Sequence, residues 1–197
     1  MTETKLHMAA ANNDAAAIRT IITQGAEIDA RDGEGRTALL LATHRNNVDA
    51  ARVLIEAGAD VNARDKMNDS AYLYAGARGH LEILKMTLAH GADLRSINRY
   101  GGTALIPAAE RGHVDTVRTL IAAGVDVDHV NKLGWTALLE AIILSNGGPR
   151  HQLIVQLLLQ AGADANLADR EGVTPLQHAR SRGYKEIETI LVAANAR

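Results

Sequence analysis

The chain repeats itself with a period of 33 residues. A tripeptide that begins with glycine and ends with an acidic residue recurs at this interval, at positions 25–27, 58–60, 91–93 and 124–126, and again after 38 residues at 162–164. A hydroxyl residue keeps the same register, at Thr37, Ser70, Thr103 and Thr136 and, after 38 residues, at Thr174. Two markers that shift together indicate a stack of small structural units, not a globular domain around one pocket. Such a stack offers a surface for binding.

The composition narrows the classes of function. Hydrophobic residues make up 47% of the chain and include no Phe, which suits short helices in close contact. The net charge of -2 gives no electrostatic case for binding nucleic acid or an anionic membrane. The absence of cysteine excludes disulfides, thiolate nucleophiles and cysteine-based zinc sites. Without a secretory signal or a membrane-length apolar run, we expect a cytoplasmic protein that contacts no membrane.

One unit of the repeat predicts two helices and a loop. Thr37 can cap a first helix over 38–45, because its hydroxyl accepts a hydrogen bond from the first helical turn. A second helix is predicted over 48–57, with its apolar residues on one stripe. Gly58 then ends that helix in the left-handed conformation. The short polar segment that follows, rich in Asp, Asn and Gly, predicts a hairpin-like loop.

Short motifs in these units carry a family resemblance. The segment that begins at the hydroxyl marker reads TALLLA at 37–42, TALIPA at 103–108 and TPLQHA at 174–179, and a Gly-His pair occurs at 79–80 and 112–113. These segments resemble the ankyrin repeat, whose fingerprint includes T-P-L-H-x-A. The histidine of that fingerprint is replaced in repeats two to five, by Leu40, Leu73, Ile106 and Leu139. The finger loops are therefore expected to be held differently there than in the family.

The resemblance implies the fold and its divisions. It implies an all-α ankyrin repeat solenoid of six repeats, including N- and C-terminal caps, built from helix-turn-helix units with short hairpin-like finger loops. The repeats are expected in a single domain over 1–197, at about 1–32, 33–65, 66–98, 99–131, 132–169 and 170–197. The chain resembles the compact stand-alone ankyrin proteins of bacteria.

Two irregularities have structural expectations. Pro107 is expected as the fourth helical position after an N-cap at Thr103, where a proline costs one backbone hydrogen bond. The five extra residues of the fifth repeat are expected to form a loop around 145–150, between its two helices. The histidines show no spacing typical of a metal site.

Departures from the repeat mark candidate binding residues. Three of the five aromatic residues, Tyr74, Tyr100 and Trp135, fall where the repeat points outward. Trp and Tyr, with Arg, dominate interface energetics, although Trp135 could instead pack as a staple against the next loop. The resemblance places several charged side chains on the concave groove. The predicted partner-binding residues are Met67, Tyr74, Arg78, Arg99, Tyr100, Glu110, Arg111, Lys132, Leu133, Trp135 and Glu140.

The function predicted from these observations is protein binding. We expect a monomeric, non-enzymatic module, without cofactor or metal, that binds another protein through the concave groove and finger loops of repeats three to five. Arg78, Arg99 and Arg111 could pair with the neighbouring carboxylates or receive an acidic partner. The alternative is a small-ligand binder or hydrolase-like enzyme that uses Glu110 and Glu140. An idle scaffold is a third interpretation. Nucleic-acid binding is disfavoured by the net charge.

Overall fold

The structure, a computed structural model, describes residues 4–197 and is all-helical there. Its helices are α1 (Lys5–Ala11), α2 (Ala15–Thr23), α3 (Ala38–His44), α4 (Val48–Glu56), α5 (Ala71–Arg78), α6 (Leu81–Ala89), α7 (Leu105–Glu110), α8 (Val114–Ala123), α9 (Ala137–Ile143), α10 (Pro149–Gln160), α11 (Pro175–Ser181) and α12 (Lys185–Ala193). Twelve helices are consistent with six helix pairs. Within 4–197 there is no β-strand, and no helix is long and apolar enough to cross a membrane.

The described chain divides into two compact units. Unit one comprises residues 4–76 and 80–93, and it contains α1 to α4, α6 and all but the last two residues of α5. In this unit α1 packs on α2 and α3, and α4 packs on α2, α3 and α6. Fully buried side chains fill its core, among them Leu6, Ile18, Leu39, Leu54 and Ile83. Each such side chain stabilises the fold by roughly 1.5–3 kcal/mol relative to an exposed position.

Unit two comprises residues 77–79 and 94–197 and contains α7 to α12. The shorter helices pack in sequence, α7 on α9 and α9 on α11, while the longer helices do the same, α8 on α10 and α10 on α12. Buried apolar residues include Leu105, Leu138, Ile154, Leu176 and Ile187. Each helix pair therefore buries its apolar face against a neighbouring pair, as the repeat predicts.

Hydroxyl residues cap the shorter helices as expected in four of the five predicted positions. The Thr37 hydroxyl accepts a hydrogen bond from the Leu40 amide at 3.2 Å, and the Thr136 hydroxyl accepts one from Leu139 at 3.2 Å. Ser70 and Thr174 make the equivalent bonds at the starts of α5 and α11. The marker that recurs in the sequence is thus a helix-capping residue.

The fifth predicted cap, Thr103, is wrong. In the other pairs, the residue four positions after the cap donates its N–H to the cap's carbonyl, as Glu140 does to Thr136 at 3.0 Å. Pro107 occupies that position and has no N–H to donate. Helix α7 consequently begins one residue later, at Leu105, with Ala104 as its N-cap, and Pro107 is its third residue. Within residues 4–197, the buried Thr103 hydroxyl has no hydrogen-bond partner.

The insertion in the fifth repeat is only partly a loop. Helix α10 begins at Pro149, so the last two residues of the expected loop are helical, and the helix has 12 residues where α4 has 9. Proline favours the first helical position because its fixed φ suits a helix and its missing N–H would have no partner there. The insertion therefore lengthens the second helix of the pair as well as the turn before it.

The fingerprint histidine, which is replaced in repeats two to five, is present in the first helix pair. His7 is fully buried, and its Nδ1 lies 2.6 Å from the Thr4 hydroxyl. Its Nε2 lies 2.9 Å from the Arg36 carbonyl oxygen, in the loop that precedes α3. The motif Thr4-Lys5-Leu6-His7 was the signal for this contact, and the sequence analysis missed it.

Candidate functional site

The finger loops end in tips that an Asp or Asn side chain organises. In unit two, the first tip is 98–102, the second tip is 131–135 and the third tip is 169–173. Each opens with Asn98, Asn131 or Asp169, whose Oδ1 accepts hydrogen bonds from the amides two and four residues later, at 2.9–3.1 Å. This residue was not among those predicted from the sequence. Its signal is an Asp or Asn five positions before every hydroxyl marker.

Backbone hydrogen bonds close each tip a second time. In the second tip, the Asn131 amide donates to the Trp135 carbonyl at 3.0 Å, and the Gly134 amide donates to the Asn131 carbonyl at 3.0 Å. Gly134 has a φ of +84°, a conformation that glycine adopts without strain. With side-chain and backbone bonds in one five-residue segment, the backbone of the tip is held in a fixed conformation, which also fixes where its outward side chains begin.

The first and second tips are bonded to each other. The Lys132 amide donates to the Tyr100 carbonyl at 2.9 Å, and the Lys132 ammonium donates to the Arg99 carbonyl at 3.0 Å. The Arg99 guanidinium lies 4.8 Å from the centroid of the Tyr100 ring. Tyr100 is 56% exposed and Leu133 is 51% exposed. The structure thus brings four of the predicted residues together at one edge of unit two.

Trp135 is the last residue of the second tip and is half-buried. Its backbone amide and carbonyl are both bonded to Asn131, so its position in the chain is fixed. Because Trp135 is half-buried, part of the residue is covered by the protein and part is accessible. The two interpretations that the sequence offered for Trp135 are not exclusive.

Glu140 is a buried carboxyl on the first turn of α9, with a side chain connected to the second tip. It is only 5% exposed, and its Oε1 accepts a hydrogen bond from Asn131 Nδ2 at 2.7 Å. Burial and, to a smaller extent, the charge of Glu110 raise the pKa of Glu140 to about 7, even though the hydrogen bond from Asn131 and the charge of Arg111 lower it. Asn131 is itself buried and uses its other side-chain atom to hold the second tip. A single amide therefore joins the tip to the acid.

Glu110 and Arg111 lie at the end of α7 and are more accessible. Their side chains are 33% and 38% exposed, and their charged groups are 3.9 Å apart. The Arg111 guanidinium also donates to the Ala77 carbonyl at 2.7 Å. Arg182 makes the equivalent bond, to the Ile143 carbonyl at 3.0 Å. Arg111 thus ties together successive helix ends, a structural contact that the sequence analysis did not foresee.

The remaining predicted residues lie outside this arrangement. In unit one, Met67 is 49% exposed at the equivalent tip position, and its amide donates to Asp65 Oδ1 at 2.8 Å. Tyr74 is half-buried and stacks on the His44 ring, with centroids 4.0 Å apart. Arg78 is exposed at the end of α5.

A second polar pair repeats the Asn131–Glu140 contact in the last helix pair. Asp169 Oδ2 and His178 Nε2 lie 2.7 Å apart, and both residues occupy the positions equivalent to Asn131 and Glu140. His178 was not among the residues predicted from the sequence. The signal was the spacing of nine residues, which both pairs share.

Comparisons with known proteins agree with the resemblance. The family model described as ankyrin repeats (3 copies) matches residues 6–98, 73–169 and 105–197. The putative ankyrin repeat protein YahD of Escherichia coli (strain K12) is 54% identical over 57 residues, which span 29% of this chain and 28% of that protein.

Solved structures match over nearly the full length. The crystal structure of an ankyrin repeat domain from Acinetobacter baumannii AYE has 69% identity and a TM-score of 0.96, with 98% of each chain covered. The ankyrin repeat protein EF0377 has 44% identity and a TM-score of 0.91, with 95% of this chain and 96% of that chain covered. The ankyrin repeat domain of Bcl-3, a member of the IkappaB protein family, has 30% identity and a TM-score of 0.88, with 99% and 87% covered.

Proposed function

This chain belongs to the ankyrin repeat family, and on that premise we propose that it is a non-enzymatic module that binds a protein partner through the finger tips of unit two. Ankyrin repeats generally serve protein–protein interaction and are typically non-enzymatic. The proposed contact surface comprises the predicted residues Arg99, Tyr100, Lys132, Leu133 and Trp135. Met67 in unit one is proposed as a separate contact at its own tip.

One observation supports the proposal above the others. Tyr100 and Leu133, both more than half exposed, lie on adjacent tips. These tips are hydrogen-bonded to each other, and each is also held by backbone hydrogen bonds of its own. A large apolar side chain in water is a source of binding free energy once a partner covers it. Because the tips are already ordered, binding costs little conformational entropy.

Substitutions at the tips test the proposal. We expect Tyr100→Ala and Leu133→Ser to abolish capture of a partner from lysate of the native host, with thermal midpoints close to that of the wild type. Trp135→Ala is a poorer test because the residue is half-buried, so its truncation is expected to remove packing as well. The matched control is Val192→Ser, since Val192 is 50% exposed on α12 in the same unit. The proposal would be refuted if Tyr100→Ala and Leu133→Ser captured the partner as well as Val192→Ser and the wild type do.

The groove residues form a second part of the proposal. Glu110 and Arg111 are proposed to set the register of the partner, because accessible charged groups around an apolar contact favour one alignment over others. Glu140, which is only 5% exposed, is proposed to act on the partner through its charge when it is ionised. We propose further that the protein is a cytoplasmic bacterial monomer that binds no nucleic acid. Cell fractionation and light scattering of the purified protein test location and oligomeric state.

A specific observation also favours the alternative function. A carboxyl whose pKa lies at about 7, beside an accessible carboxylate, resembles an acid/base pair suited to binding or hydrolysing a small ligand. The acid pair lines neither of two depressions on the surface. One depression is lined by residues that include Thr174 and Arg197, and the other by residues that include Thr4 and Glu27. A ligand screen by thermal shift tests this alternative. A hit that stabilises the wild type and not Glu140→Gln would support it over protein binding.

A further inference from the structure

Cations occupy the second position of every tip in unit two. They are Arg99, Lys132 and Arg170, each directly after the Asp or Asn that organises the tip. The aliphatic stem of Lys132 lies against Gly101 of the first tip, and the stem of Arg170 lies against Gly134 of the second tip. A Cβ on either glycine would approach these stems to 2.5–2.9 Å. The side chains of Lys132 and Arg170 thus each pack against the preceding tip in the chain.

The carboxylates of the same fingers are mostly used within the protein. Asp128 accepts a hydrogen bond from the Asp164 amide at 3.0 Å, and Asp126 accepts one from the Asp128 amide at 3.0 Å. Asp169 is paired with His178. At the outward positions of the tips, the one carboxylate is Glu171 of the third tip. The outward positions of the tips therefore carry three cations and one carboxylate, although the chain as a whole has a charge of -2. The other finger carboxylates keep their negative charges, but they are already hydrogen-bonded within the protein.

Apolar side chains alternate with these cations. Tyr100 and Leu133 follow Arg99 and Lys132 directly, and Val130, 46% exposed, precedes the second tip. Neighbouring helices pack roughly 8–10 Å apart, and an extended chain rises about 3.3 Å per residue. A peptide that runs along the tips would therefore meet a new cation at about every third residue.

We propose that the tips of unit two bind an extended acidic segment of a partner protein, with carboxylates at every third residue and apolar side chains between them. This inference rests on the proposed function and specifies the chemistry of the partner. Carboxylates of the segment pair with Arg99, Lys132 and Arg170, while its apolar side chains cover Tyr100 and Leu133. Single-stranded nucleic acid fits less well, because its bases need aromatic platforms and only one of the two exposed residues, Tyr100, is aromatic.

The test uses a labelled peptide with glutamate at every third position and leucine between, measured by fluorescence anisotropy on the full-length protein. We expect saturable binding that weakens as salt is added, since exposed charge pairs are screened. Lys132→Glu and Arg170→Glu should each weaken binding by about five- to ten-fold. The control is Arg118→Glu, which makes the same change of charge at an exposed position on α8 of unit two and should leave the affinity unchanged. Circular dichroism verifies that each variant is folded.

A peptide without leucines and a single-stranded oligonucleotide test the apolar contacts and the class of ligand. Leu133→Ser should weaken the peptide with leucines more than a peptide with serines in their place. The inference is overturned if Arg118→Glu weakens binding as much as Lys132→Glu and Arg170→Glu do, if the wild type does not bind the peptide at low salt, or if a single-stranded oligonucleotide binds more tightly. If the tip cations prove irrelevant while Tyr100→Ala still abolishes capture of a native partner, this inference fails and the proposed function stands. If Tyr100→Ala captures the partner normally, the proposed function fails as well.

Discussion

Replacement of Glu140 by glutamine should make the protein more stable, and more so at higher pH. Glutamine has the size of the protonated acid and keeps an oxygen that can accept the hydrogen bond of Asn131. It removes the negative charge that the folded protein must otherwise carry in a site that is 5% exposed. The substitution therefore isolates the effect of ionisation from that of packing.

The size and sign of the effect follow from the pKa. In the unfolded chain Glu140 titrates near its ordinary value of 4.5, and in the folded protein its pKa is about 7. The folded state therefore holds the proton over this range while the unfolded state has lost it. The stability contributed by the protonated acid is complete below the unfolded pKa and is lost as the pH rises through the folded pKa. Each pKa unit corresponds to about 1.36 kcal/mol, so the wild type loses at most about 3 kcal/mol.

Urea denaturation of both proteins near pH 5 and near pH 8 measures the effect. We expect the free energy of unfolding of Glu140→Gln to exceed that of the wild type by about 1–3 kcal/mol near pH 8, and the difference to shrink to a small value near pH 5. The fluorescence of Trp135 reports on unit two, because it is the one tryptophan in the chain. Other titrating groups are common to both proteins and cancel in the difference.

A second variant shows whether the pH dependence comes from the acid pair. Glu110→Gln removes a charge that raises the pKa of Glu140, so the loss of stability with pH should become smaller and should not disappear. A difference between wild type and Glu140→Gln that is the same near pH 5 and near pH 8 would refute the reasoning. It would mean that the folded protein accommodates the ionised carboxylate without cost.

Three further predictions concern the tips, the turns and α7. Asn131→Ala should lower the free energy of unfolding by about 2–4 kcal/mol, because the tip amides and the buried acid lose their partner. Asn98→Ala should lower it less in the same urea titrations, because the Asn98 side chain accepts hydrogen bonds within its own tip and holds no buried acid. Gly147→Ala should lower the thermal midpoint more than Gly172→Ala does. Both glycines have positive φ, but only at Gly147 would an added Cβ lie 2.6 Å from a tyrosine ring. If both substitutions lowered the free energy of unfolding equally, by about 1 kcal/mol, the ring would have to move aside freely. Pro107→Ala should extend α7 by one residue, and the new amide should be protected from hydrogen exchange; an unprotected amide would show that the proline is not what delays the helix.

The sequence alone determined the helix pairs and most of their ends. The 33-residue period places each helix, and a threonine or serine at the right position supplies the cap, because capping depends only on residues within one turn. The late start of α7 was equally local, since it follows from one missing N–H at Pro107. The tip residues Asn98, Asn131 and Asp169 were also visible in the period, and the sequence analysis overlooked them.

The properties of the candidate site depended on contacts between neighbouring repeats, which no local pattern encodes. Glu140 was predicted as one of two groove carboxylates, but its burial and its raised pKa come from the residues packed around it, so they appear only once α9 lies beside α7. Arg111 was predicted as a groove contact, yet the structure also ties it to the carbonyl of Ala77. The junction of Lys132 with Tyr100 likewise joins two repeats. A repeated sequence states which residues are equivalent, and the stacking of one repeat on the next decides which of them become buried, paired or exposed.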